Sequence, residues 1–274
     1  MSPIFWGIIA VGALMFATWV LSVKLANASI VDIVWGLGFV TMGWTVWVAH
    51  HRATDAISIA LLTMVTLWGL RLAGYLWWRN HGKGEDFRYV AMRRKIGPNF
   101  WLVSLVSVFL LQGVLVVVVS LPLSVGLNRS HIGVGPVGYV GFALFAVGLF
   151  FEAVGDLQLA RFKADPANAG AVMDRGLWRY TRHPNYFGDF CVWWAIFLVS
   201  LNCGPVWWTV IGPVVMSVLL MRVSGVALLE KSIGKRRPKY ADYIARTSAF
   251  FPRPPKRLPN QQPGGGAAPT DRPE

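Results

Sequence analysis

Charge is scarce in this sequence. Only 14% of its residues are Asp, Glu, Lys or Arg, where a soluble domain carries about 25%. That deficit excludes an ordinary water-exposed surface. Cysteine is nearly missing too. Cys191 and Cys203 stand apart, with no CxxC and no neighbouring His cluster, which argues against a metal site, a redox motif or a disulfide framework. The common nucleotide and hydrolase fingerprints are also absent: no GxGxxG after a strand, no P-loop, no GxSxG, no HExxH. A nucleotide bound here would have to be held by helix ends and loops.

Apolar bulk fills the place of charge. Hydrophobic residues make up 55% of the chain, with fourteen Trp and sixteen Phe. Several runs approach the roughly 20 residues that span a bilayer. The chain therefore reads as an all-α polytopic membrane protein with about seven transmembrane helices, at residues 3–23, 30–49, 56–78, 100–123, 133–155, 185–202 and 205–229. The first run lacks a charged leader and a small-x-small cleavage site, so it reads as a helix and not a signal peptide. Residues 1–251 read as one membrane domain. Residues 252–274, rich in Pro, Gly and polar groups, read as a disordered cytoplasmic tail.

The few charges are mostly positive, for a net charge of +13. In a soluble protein that would point to nucleic acid. In a membrane protein it points to the positive-inside excess and to attraction for anionic lipid, and no nucleic-acid partner is expected. The basic residues crowd into 79–99, 156–184 and the tail after 230, whereas the connections on the opposite side hold only Arg52 and Arg129. Seven crossings then place the N-terminus outside and the C-terminus in the cytoplasm.

Polar groups inside or beside the spans carry the functional reading. Asp32 opens the second span, either as an interfacial cap or as a buried acid that stays protonated and donates a hydrogen bond. Arg71, Tyr75 and Arg79 form one stripe at i, i+4 and i+8. Arg79 suits snorkelling, Arg71 lies deeper and wants an anion, and Tyr75 is a belt aromatic or a donor to a substrate carbonyl. The loop after it, with Glu85, Asp86, Arg88 and Tyr89, is either solvated or a lid over a cofactor. Glu152, Asp156 and Lys163 share a face of the fifth span. They serve either as helix-end ion pairs or as an acid for ribose hydroxyls with a cation for phosphate. The densest stretch runs from Gly176 and holds Arg179, Tyr180, Arg182, His183, Asn185, Tyr186 and Asp189, at the mouth of an apolar segment. After the last span come Arg222, Glu230, Tyr240, Tyr243 and Arg246. They make up a basic helix on anionic lipid or part of a polyanion site.

These residues resemble the integral-membrane steroid 5-alpha-reductase superfamily, in its largely bacterial branch. The stretches that carry the resemblance are SIVDIVWGLGF, WGLRLAGYLWWRNHGKGEDFRYVAMR, GLWRYTRHPNYFGDF and LLEKSIGKRRPKYADYIARTSAFFP, spanning about 28–252. The resemblance implies seven helices in a bacterial inner membrane. It also implies NADPH bound in a cytoplasm-facing cavity, and hydride transfer to the β carbon of a lipophilic enone that enters from the bilayer. By motif, Asn185, Gly188 and Asp189 match the family's amide, glycine and acid, with Asp in place of the usual Glu. Asp156 matches the acid of the fifth helix, Lys163 stands where the family has Arg, and Glu152 stands where steroid reductases have Asn. Tyr243 and Pro252 match the C-terminal pair. The Gln-Glu pair of the second helix is missing, and Asp32 and Tyr75 are its stand-ins by chemistry. The RHPxY motif followed by an acid also occurs in isoprenylcysteine and phospholipid methyltransferases, whose donor is S-adenosylmethionine. A non-catalytic lipid-binding protein is the third reading.

Overall fold

Six runs become helices long and apolar enough to cross a bilayer in the computed structural model, which describes residues 1–51, 54–129, 133–223 and 240–256. The first three are α1 (Pro3–Lys24), α2 (Ile30–Ala49) and α3 (Ala56–Asn80). Asp55 caps α3 by accepting from the N–H groups of Ile57 and Ser58 at 3.1 and 3.0 Å. The fourth crossing begins earlier than hydropathy suggests. Asp86 accepts from the Arg88 N–H at 3.0 Å and starts the basic helix α4 (Phe87–Ile96). Gly97, at φ +75°, then turns the chain into α5 (residues 100–119). Next come α6 (Leu121–Leu127), α7 (Pro136–Ala164), α8 (Pro184–Ser200) and a shorter apolar helix, α9 (Trp207–Val223). α7 runs well past the expected end at 155. The last described helix is α10 (Tyr240–Arg246). No strand occurs among the described residues, only one isolated bridge, Thr181 with Ser248. Among the described residues the protein is thus all-helical and polytopic, with six full-length spans; of the expected seventh, 205–229, the part up to Val223 is α9 and 224–229 lie outside the described residues.

The chain divides into two units, with the breaks inside α7, α8 and α9. The first comprises residues 1–150 and 188–220. Its α2 and α3 cross where Gly36 meets Gly69. A Cβ on Gly36 would sit 2.6 Å from the Gly69 carbonyl oxygen, so only glycine permits this approach. Beside the crossing lie three fully buried rings, Phe39, Trp68 and Trp193, with centroids 4.5–5.4 Å apart. Such pairs contribute about 0.5–1.5 kcal/mol each beyond area burial.

The second unit comprises residues 151–187 and 221–274, of which 224–239 and 257–274 lie outside the described residues. Phe187 packs edge-on against Phe151 at 4.9 Å and near Phe250 and Phe251 at 6.2 Å. The C-terminal segment is stitched to the connection before α8: Arg182 N–H donates to Ser248 O, and Arg253 N–H to Tyr180 O, both at 2.9 Å. Lys256 N–H donates to Arg246 O at 2.8 Å. Hydrogen-bonded structure therefore continues four residues past the point where the tail was expected to begin.

Candidate functional site

The second unit gathers most of the residues singled out by sequence. Glu152 and Asp156 lie one turn apart on α7, only 2% and 5% exposed. Pro184 occupies the first position of α8, where its missing N–H is no loss. Asn185 therefore sits in the first turn, with its Oδ1 accepting from the Tyr186 N–H at 3.1 Å and its Nδ2 donating to Asp156 Oδ1 at 3.2 Å. An acid and an amide 29 residues apart thus meet in one buried polar group. Gly155 makes the approach possible, since a Cβ there would lie 3.1 Å from Pro184. His183 is buried and stacks on Tyr186, centroids 5.5 Å apart and planes 7° off parallel.

Other predicted residues have structural partners. Arg182 was expected on phosphate. Instead its buried guanidinium donates to the Thr247 and Ile244 carbonyls at 2.6 and 3.1 Å, capping the end of α10. The Tyr243 hydroxyl donates to Trp178 O at 2.5 Å. Burial, with Tyr240 beside it, pushes this phenol up, so it stays protonated at neutral pH. Tyr240 is buried with its ring 5.7 Å from that of Tyr243. Lys163 is exposed at the end of α7 and Arg222 at the end of α9. Glu230 lies outside the described residues.

Arg179 and Arg246 share a cavity of about 610 Å³ with Asp174, Arg175, Thr247 and Lys256. Arg246 pairs with Asp174. Gly176, at φ +57°, makes the turn that presents Arg175 and Arg179; a Cβ there would meet the Gln158 side chain at 2.4 Å. Gln158 Oε1 in turn accepts from the Leu177 N–H at 3.0 Å. Sequence reasoning missed this grouping. Arg175 counted only as loop charge and Lys256 fell in the expected tail, although the spacing of Arg175 and Arg179 by four was a visible signal.

In the first unit Asp32, read as an interfacial cap or as a buried acid, meets two donors. Arg88 Nη2 lies 2.6 Å from its Oδ2, and the Tyr89 hydroxyl donates to its Oδ1 at 2.8 Å. Both carboxyl oxygens accept a hydrogen bond from a neighbour. Tyr89 is accordingly part of this ion pair. Arg79 is exposed, donates to Asn80 Oδ1 at 3.1 Å and lies 5.9 Å from the Tyr75 ring. Arg71, Tyr75 and Asp189 are half-buried. The loop read either as solvated or as a lid is hydrogen-bonded to the α1–α2 turn. Glu85 accepts from Arg93 at 2.9 and 3.0 Å and from the Ala28 N–H at 2.7 Å. Arg93 also reaches Ala26 O at 3.2 Å. Burial alone would raise the Glu85 pKa, but the Arg93 and Ala28 donors and the Arg93 charge hold it below the usual carboxylate range.

The model of a protein family of unknown function, DUF1295, matches residues 18–247. The chain belongs to the DUF1295 family. That family includes steroid 5-alpha-reductase-like membrane proteins. An uncharacterized protein of Schizosaccharomyces pombe is 24% identical over 269 residues, covering 86% of this chain and 75% of its own. A probable O-methyltransferase of Ustilaginoidea virens is 43% identical over 53 residues, only 19% of this chain and 18% of its own. No solved structure matches the DUF1295 chain significantly.

Proposed function

We propose that this protein is a membrane reductase that uses NADPH to reduce a lipophilic enone. The observation that carries the reading is the Asn185–Asp156 hydrogen bond beside the buried Glu152. Carboxylate oxygens accept hydrogen bonds, and an amide both donates and accepts them. Ribose hydroxyls supply donors, and an amide with one N–H already fixed on Asp156 is held in place to meet a second polar group. The donor set therefore fits a dinucleotide, which when bound supplies a hydride for the β carbon. Asp156 and Asn185 would orient its sugar, and Arg179, Lys163 and Arg246 would meet its phosphates. Tyr75 stays the proposed donor to the substrate carbonyl, where a phenol O–H stabilises developing negative charge. Asp32, which accepts from Arg88 and Tyr89, is the alternative group for that part. In this reading the cofactor enters from the cytoplasm and the substrate from the bilayer.

Calorimetric titration of the purified protein with NADPH tests the proposal. Binding is expected, with Asn185→Ala and Asp156→Asn each weakening it roughly tenfold or more, the usual effect of losing a charge-assisted hydrogen bond. No response at millimolar NADPH overturns it. The match to an O-methyltransferase favours a second reading, an S-adenosylmethionine-dependent methyltransferase, because that cofactor also carries ribose hydroxyls. Binding of S-adenosylmethionine without binding of NADPH would select it.

A further inference from the structure

We propose that the cavity bounded by Arg175, Arg179, Arg246 and Lys256 is a binding site for a phosphate-bearing ligand. The inference deepens the reductase reading, with which it shares Arg179 and Arg246, but it is argued from the cavity and tested apart from that reading. Four cations face a single acid, Asp174, a formal excess of three positive charges around one space of about 610 Å³. Cations that merely snorkel would point apart into water or lipid head groups. Here two come from the 174–179 turn, one from α10 and one from the segment after it.

The walls are preformed. Gly176 sets the turn, the Lys256 N–H is tied to Arg246 O, and Pro254 and Pro255 stiffen the remaining side. Asp174 fixes one end of the Arg246 guanidinium, whose buried Nε–H has no acceptor among the described residues. Arginine forks match the several oxygens of a phosphate better than a single carboxylate would, and a phosphate monoester brings close to two negative charges. The residues concerned lie outside the membrane-spanning helices. The phosphate could thus belong to a free nucleotide or to a lipid head group.

Calorimetry of the full chain in lipid nanodiscs, with inorganic pyrophosphate as probe, tests the site. Saturable binding that weakens as salt is raised is expected. Arg175→Gln with Arg179→Gln, both at exposed positions, should weaken it at least tenfold. Lys256→Gln should give a smaller loss in the same direction, which guards against a misfolded double variant. No pyrophosphate binding by the wild type, or undiminished binding by both variants, overturns the proposal. Competition then identifies the source. Displacement by NADPH and not by NADH marks the dinucleotide 2′-phosphate, and displacement by phosphatidic acid and not by phosphatidylcholine marks a head group. Pyrophosphate binding without any affinity for NADPH would keep this site and remove the reductase reading.

Discussion

A charged side chain in this protein takes its role from the nearest partner more than from its residue type. Arg182 and Arg246 stand at opposite poles of that rule. The first is 7% exposed and donates to two backbone carbonyls; the second pairs with an acid at the rim of a cavity. Arg182→Gln should therefore unsettle the fold, while Arg246→Gln should leave the melting temperature nearly unchanged and weaken anion binding. Glu85 gives a prediction with a sign. Its pKa is lowered in the folded state, so its contribution is complete above the unfolded value of about 4.3. That contribution is lost as pH falls through the lower folded value. Amide exchange of residues 81–86 should accelerate as the pH is taken from about 5 downwards. In Glu85→Gln the loop should exchange fast throughout, with no such step. An identical acid step in the variant would show that another group is responsible.

Helices were the legible level. Hydropathy marked six spans to within a few residues at most ends, because a bilayer demands length and apolarity together and little else in the sequence supplies both. What escaped was structure held by hydrogen bonds and not by apolarity. Helix α4 is basic and begins at a cap, Asp86, so no hydropathy window finds it. The 165–183 connection has little regular structure and is held by Gln158, Gly155 and Tyr243, which lie outside it and bond to Leu177 and Trp178. For the site, the meeting of Asp156 with Asn185 was legible from motif positions. The partners of Asp32, 56 and 57 residues away, were not. The crossing of α2 and α3 supplies a test at this scale. Gly36→Leu would drive its side chain into the Gly69 backbone, which cannot give way as a flexible side chain can. Overpacking of this kind costs about 1–3 kcal/mol or more. A lost or broadened size-exclusion peak is expected, whereas Gly12→Ala, with nothing within 4 Å of the new methyl, should behave as wild type.

At the level of the whole molecule, the question the charges can answer is which way the chain faces. Arg79, Lys83, Arg88, Arg93, Arg94 and Lys95 cluster between α3 and α5, and Arg161, Lys163, Arg175, Arg179 and Arg182 between the end of α7 and the start of α8. Several of these are paired to acids, yet the rule that governs orientation counts Lys and Arg and gives Asp and Glu little weight. Ion pairing inside the fold therefore does not alter the expectation that both connections lie in the cytoplasm. Gly84 and Ala169 fall in them, while Thr54 and Pro205 fall in the opposite connections; all four are exposed. Both native cysteines are buried, so a cysteine introduced at any of these positions would dominate labelling. With a membrane-impermeant maleimide on intact cells, Thr54→Cys and Pro205→Cys should label at once. Gly84→Cys and Ala169→Cys should label only after lysis. The reverse pattern would place the 174–179 turn and its cations outside the cell, away from any cytoplasmic dinucleotide, and the NADPH reading would fall with the orientation.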